Sequence, residues 1–208
     1  MSQQPLTLLI HGGGMRSLVA AASLADRGRV AMVYLHDGRN ADDFFHGCFQ
    51  RQAERYGAVK RLDLVMPHAG VGAPEPGCGG TRSLRAVQAL AAAVDMALDL
   101  KADRVIWPVQ AGDDSEATSR AIEVVQIVDQ LVRIEHEGLL RIETPLLDLT
   151  LRQLIEAGHQ MGAPWDIARS CLSPTADPCG ECAGCRLRHD AFSQAGIDDP
   201  LQLAPIHR

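Results

Sequence analysis

The stretch Leu6-Thr7-Leu8-Leu9-Ile10-His11-Gly12-Gly13-Gly14-Met15-Arg16-Ser17 decides the fold. Leu6–Ile10 is a continuous run that stops at glycines, as a parallel strand buried on both faces does. From Ser17 to about Arg27 the pattern turns helical, with Leu18, Val19, Ala22 and Leu24 apolar and Gly28 ending it. Between them, glycines let the backbone take positive φ and approach a ligand closely, and the amides at the helix start face an anion. By itself this is a weak signal, because many α/β proteins place a glycine turn here for packing. The loop is neither a G-x-G-x-x-G fingerprint nor a Walker loop ending in Gly-Lys-Ser/Thr.

Working outward, strands and helices alternate. Strands are expected at Val30–Leu35, Lys60–Val65, Arg104–Trp107 and Leu140–Glu143. Helices are expected at Asp42–Tyr56 (closed by Gly57), Thr81–Leu98, Ser115–Glu137 (closed by Gly138) and Thr150–Ala157, with Thr150 as N-cap. The segment Pro67–Gly80 holds three prolines and five glycines and excludes regular structure. This rhythm implies an α/β fold, a doubly wound parallel sheet with its ligand at the C-terminal ends of the strands. Two units are expected, a nucleotide-binding domain at 1–163 and a small metal module at 164–208 that departs from the rhythm.

At 208 residues the chain can bury a sizeable core, and its 46% hydrophobic content is ordinary for a globular protein. A net charge of −6 argues against broad nucleic-acid binding and leaves small-molecule chemistry as the default. The apolar run at the N-terminus is too short for a signal segment or a membrane span, so a cytoplasmic protein is expected.

Cys171, Cys179, Cys182 and Cys185 follow the pattern C-x7-C-x2-C-x2-C. Four thiolates form a closed set around one tetrahedral ion, which then holds the fold rather than doing chemistry. Pro174, Pro178, Gly180 and Gly184 suit the tight turns between ligands. Structural zinc is the expectation; an iron–sulfur cluster also suits four thiolates, and disulfides fit poorly in a reducing compartment. Cys48 and Cys78 are isolated, and Cys48 is expected to be a small buried hydrophobe. The eight histidines show no metal spacing. His36 is placed at the site and the others at the surface.

Joined to the tail, the glycine loop becomes specific. The chain resembles the ATP-pyrophosphatase (PP-loop, adenine nucleotide alpha hydrolase-like) superfamily, and within it the 7-cyano-7-deazaguanine synthase family. Gly12–Ser17 sits where the family has S-G-G-x-D-S, and His36-Asp37-Gly38-Arg39 is similar to its Y-G-Q-R segment. Glu143-Thr144-Pro145-Leu146-Leu147 resembles its E-T-P-L stretch, and Cys171 with Cys179–Arg188 resembles its zinc-binding tail. The resemblance implies an ATP-dependent ligase that adenylylates a 7-deazaguanine carboxylate for attack by ammonia or an amine. It implies structural Zn²⁺, ATP and Mg²⁺, a base-like small-molecule substrate, no membrane and no direct nucleic-acid partner. A homodimer is expected.

The same resemblance nominates Gly12, Gly13, Gly14, Met15, Arg16, Ser17, His36 and Asp37 for the nucleotide, and an internal repeat adds Arg82. Arg16, Ser17 and Asp113 are nominated for catalysis. Arg16 stands where the family has an acid. A guanidinium cannot ligate Mg²⁺, but it can bind phosphate oxygens in bidentate fashion. Gly79-Gly80-Thr81-Arg82-Ser83-Leu84 nearly repeats Gly13–Leu18, either as a chance echo of helix-start signals or as a second loop that brings two arginines and two helix starts to one polyanion, with Pro67–Gly80 as a lid. Asp113 and Asp114 follow the fourth strand, either as ligands or as acids favouring a helix start. Two other functions fit the same residues. One is a catalytically degenerate nucleotide- or nucleobase-binding subunit of a modification or defence system; the other is a PP-loop ligase for another carboxylate.

Overall fold

The computed structural model describes residues 4–37, 41–66, 83–136 and 140–201. Five parallel strands form one sheet in the order β3-β2-β1-β4-β5. They are β1 (Leu6–His11), β2 (Arg29–His36), β3 (Lys60–Val65), β4 (Arg104–Ile106) and β5 (Arg141–Glu143). β1 is central and buried along its whole length, which is why its sequence reads as an unbroken run rather than an alternation. Leu8 and Leu9 are fully buried on opposite faces, each contributing about 1.5–3 kcal/mol of burial.

Those two faces carry separate cores. Leu9, Met32, Tyr34 and Ile106 pack against α1 (Met15–Ser23), α2 (Asp42–Arg55), α5 (Leu151–Gln160) and α6 (Ala183–Ala195). Leu8, Ile10, Ala31, Val33 and Val105 pack against α3 (Ser83–Asp99) and α4 (Ser115–Glu135). The sheet is therefore doubly wound, as the alternation of elements implies. From β1 the chain steps outward to β2 and β3, then returns to the other side of β1 as β4. The strand order reverses between β1 and β4, and the crevice at their C-terminal ends is where such sheets bind ligands.

Element boundaries differ from expectation in one instructive place. α1 ends at Ser23 rather than near Arg27. The chain must return within five residues to pair Leu6 with Arg29, and it does so with Asp26 at φ 65° and Gly28 at φ 114°. Thr150 caps α5 as expected: its hydroxyl accepts from the Gln153 amide at 3.2 Å, while Gln153 Oε1 accepts from the Thr150 amide at 2.8 Å, a complete capping box.

The tail joins the first core rather than standing apart from it. Trp165, Ala168, Ala191 and Phe192 belong to the same cluster as α1 and α5. Gly158 of α5 permits this approach, since a Cβ there would lie 2.4 Å from the Trp165 ring. Among the described residues, no helix is long and apolar enough to cross a membrane.

Candidate functional site

The candidate residues lie on the loops that follow the strands of the sheet. The loop after β1 is set by its own side chains: Gly12 donates its amide to Ser17 Oγ at 2.9 Å, and Gly13 donates to His11 Nδ1 at 3.0 Å. Gly13 takes φ 70°, and a Cβ there would sit 2.1 Å from the Phe45 carbonyl oxygen of α2. Only glycine fits. The Gly13 carbonyl accepts from the Arg169 amide at 3.1 Å and from Gln52 Nε2 at 3.3 Å. Gly14 caps α1 without a side chain, Met15 begins the helix, and the amides of its first turn open toward the crevice. Ser17 is buried, and Arg16 is exposed beside it.

The loop after β4 is held by the Thr-Pro-Leu stretch. Ala111 and Gly112 both donate to the Leu147 carbonyl, at 2.9 and 3.0 Å, and Gln110 Nε2 donates to Leu149 O at 2.8 Å. Asp114 is the N-cap of α4, accepting from the Ala117 amide at 2.9 Å, so it satisfies a helix end. Asp113, next to it, is exposed.

At the ends of β2 and β3, His36 Nδ1 lies 2.6 Å from Asp42 Oδ2, and its Nε2 lies 2.9 Å from Asp63 Oδ1. Burial works against a charge on His36, but the hydrogen bonds and negative charges of Asp42 and Asp63 outweigh it and raise its pKa. Asp37 follows, half-buried. Arg82, the segment 67–80 and residues 79–82 of the second arginine loop lie outside the described residues, as do Gly38, Arg39 and Cys78.

The four cysteines converge as their spacing demands. One sulfur from each lies within 4.8 Å of the others, and Cys171 Sγ is 3.6 Å from Cys179 Sγ. Backbone amides point at the sulfurs: Ser173 and Cys179 donate to Cys171, and Leu172 and Cys185 donate to Cys182, at 3.3–3.4 Å. Amides of Glu181 and Cys182 lower the Cys179 pKa to about 7, whereas burial pushes the Cys185 thiol up. A cation among four sulfurs favours the thiolate at each. This donor set is a metal site. Cys48 is buried and free.

Three buried polar residues whose structural role is not legible in the sequence bind the parts together. Arg169 donates to the carbonyls of Cys171, Ser173, Thr175 and Ala176, and its guanidinium stacks 4.5 Å from the Phe44 ring centroid. Arg188, 1% exposed, pairs with both oxygens of Asp199 at 2.7 Å and donates to the Trp165 and Ala168 carbonyls. Gln52 bridges Gly13 O to Ile167 O. His11 and His46, expected at the surface, are not there. His11 is 1% exposed within the loop, and half-buried His46 lies 2.9 Å from Asp63.

A family model described as queuosine biosynthesis protein QueC matches residues 83–196. The chain belongs to this family. Among QueC relatives, 7-cyano-7-deazaguanine synthase of Acidobacterium capsulatum is 35% identical over 116 residues, 55% of this chain and 51% of that protein. The enzyme of the same name from Methanothermobacter thermautotrophicus is 32% identical over 51% of this chain and 47% of its own length. The chain thus spans about half the length of these two relatives. That of Geobacter metallireducens is 27% identical over 96% of this chain and 93% of its own. The U34-tRNA thiolase NcsA from Methanococcus maripaludis with its [4Fe-4S] cluster shares the fold, with a TM-score of 0.52 at 14% identity over 97% of this chain and 66% of that one. The QueC match begins at α3, so the β1 loop lies outside it.

Two outcomes test this geometry. Gly13→Ala should cost about 1–3 kcal/mol in urea unfolding, from left-handed strain and the Phe45 overlap. Gly14→Ala, whose Cβ meets only Arg169 O at 3.4 Å, should cost under about 1 kcal/mol; equal costs would refute the fit at Gly13. Burial drives the His11 pKa down from 6.5 to about 3, with Gln52 partly offsetting. The unfolded chain therefore binds the extra proton between those values. Stability is full above about pH 6.5 and falls toward pH 3, by at most about 1.4 kcal/mol per unit from this group. His11→Asn should flatten the curve in that window, and parallel curves for the two proteins would contradict the assignment.

Proposed function

We propose that the chain is an ATP-dependent ligase of the 7-cyano-7-deazaguanine synthase type, adenylylating a 7-deazaguanine carboxylate for attack by ammonia or an amine. The observation that carries this is the QueC match over 83–196, continued by a glycine loop at the C-terminal end of β1 where the strand order reverses. In this reading ATP phosphates lie over Gly12–Gly14 and the first amides of α1, with Met15, Arg16 and Ser17 around them. His36, Asp37, Arg82 and Asp113 complete the set. Adenylylation converts a carboxylate oxygen into an AMP leaving group that a nitrogen nucleophile displaces. The first amides of α1, with Ser17 and Arg16, would then stabilise the growing charge of the departing pyrophosphate, since the Gly12 and Gly13 amides are taken by Ser17 and His11.

The cysteine site holds zinc in this reading. Sulfurs within 4.8 Å of one another suit a single ion about 2.3 Å from each; a four-iron cluster gives each thiolate its own iron and spreads them further. Residues 164–208 then form a metal-stabilised module docked on a nucleotide-binding domain at 1–163. Mg²⁺ would enter with ATP. A homodimer belongs to the same proposal, supported by exposed Ile127, Leu131 and Ile134 at helical spacing on α4, and sedimentation equilibrium measures it.

Arg16 in place of the family's loop acid favours a second reading, a subunit that binds nucleotide without turning it over. Purified protein given ATP, Mg²⁺, 7-carboxy-7-deazaguanine and ammonia separates the two. Release of AMP and pyrophosphate supports the ligase, whereas ATP binding without either product supports the binding subunit. In both cases Arg16→Ala should weaken ATP binding by about 1.5–3 kcal/mol; unchanged affinity removes Arg16 from the site. Elemental analysis should find one zinc per chain at the four cysteines, lost with cooperative unfolding of the tail in Cys182→Ser. Iron with sulfide, or no metal, contradicts the zinc reading.

A further inference from the structure

A second group of metal-ligating side chains lies away from the cysteines. Nε2 of His36 and Nε2 of His46 each lie 2.9 Å from the same Asp63 oxygen, Oδ1. One ligand atom from each of the three residues falls within 4.8 Å of the others. The residues come from three elements, the end of β2, the first half of α2 and the middle of β3, so the fold and not a local motif brings them together.

The surroundings select one nitrogen of His36 for a ligand. Its Nδ1 lies 2.6 Å from Asp42 Oδ2, and the other Asp42 oxygen accepts from the Tyr34 hydroxyl at 2.8 Å. A carboxylate holding the far nitrogen fixes the tautomer and aims the lone pair of the near one, which is how histidine ligands are oriented in metal sites. Tyr34 and Phe49 wall the cluster, with Tyr34 5.0 Å from the His46 ring and Phe49 5.6 Å from it. The open side is wet, since His36, His46 and Asp63 side chains are 26%, 31% and 46% exposed. Among the described residues, Gln50 Nε2, 3.1 Å from His46 Nε2, is a further contact to these donors, and it would turn aside when an ion enters.

We infer that His36, His46 and Asp63 form a binding site for a divalent transition-metal ion, oriented by Asp42. Two imidazoles and a carboxylate suit zinc, cobalt, nickel or ferrous iron over magnesium or calcium. Three protein ligands leave a coordination position open to water or an oxygen-bearing ligand. The site shares α2 with Phe45, whose carbonyl oxygen occupies the space a Cβ on Gly13 would need. The ion therefore stands on the helix that shapes the glycine loop.

Cobalt(II) added to the purified protein, its cysteine site left as isolated, tests this. One equivalent should bind with visible d–d bands and without the near-ultraviolet charge-transfer band of a thiolate. Paramagnetic broadening should strike the His36 and His46 imidazole signals first. His46→Ala should abolish this binding, and Asp42→Asn, which touches no ligand position, should weaken it about 10–100-fold. Circular dichroism checks that each variant is folded. Absence of d–d bands, broadening centred elsewhere in the wild-type protein, or unchanged affinity in folded His46→Ala overturns the inference. The wild-type broadening decides the matter if a variant fails to fold.

Discussion

Gly13 is the point on which the rest of the site depends. Its φ of 70° turns the chain from β1 into α1, and the absent side chain lets the α2 backbone close to within van der Waals distance. Its carbonyl then accepts from Arg169, the residue whose guanidinium gathers four carbonyls of the cysteine segment. One peptide group thus couples the central strand, the second helix and the metal-binding tail. A buried arginine is costly unless its charge is paired or hydrogen-bonded, and every guanidinium nitrogen of Arg169 and Arg188 has a partner among backbone carbonyls and Asp199. The tail is a bracket fixing the loop, not an appendage.

This arrangement keeps the loop organised by the protein's own groups. Gly12 and Gly13 direct their amides to Ser17 and His11 within the protein, so the loop's shape needs no ion. The N-terminal end of α1 gives the opening a positive character. The loops after β4 and β5 are likewise preset, by the hydrogen bonds from Ala111, Gly112 and Gln110 to the Leu147–Leu149 segment.

Local signals made much of this legible in the sequence. The Leu6–Ile10 run, the glycines, the Thr150 cap and the cysteine spacing each depend on residues close in the chain, where strand burial, capping and ligand geometry leave short patterns. The parts that stayed hidden depend on distance. Arg169, Gln52 and Arg188 look like surface residues because nothing nearby reveals that backbone carbonyls will satisfy them. His36 and Asp63 are 27 positions apart and meet only because β2 and β3 are neighbours in the sheet. The early end of α1 follows from strand register, which a helix pattern does not contain.

Hydrogen exchange of the Arg169 amide and the amides of residues 12–18, before and after chelation of the cysteine metal, probes the coupling directly. If the tail braces the loop through Gly13, removing the metal accelerates exchange in both segments together, while β2, α3 and α4 stay protected. If residues 171–185 open and the loop amides remain as protected as before, the tail does not hold the loop, and the account of Gly13 as their common anchor is wrong.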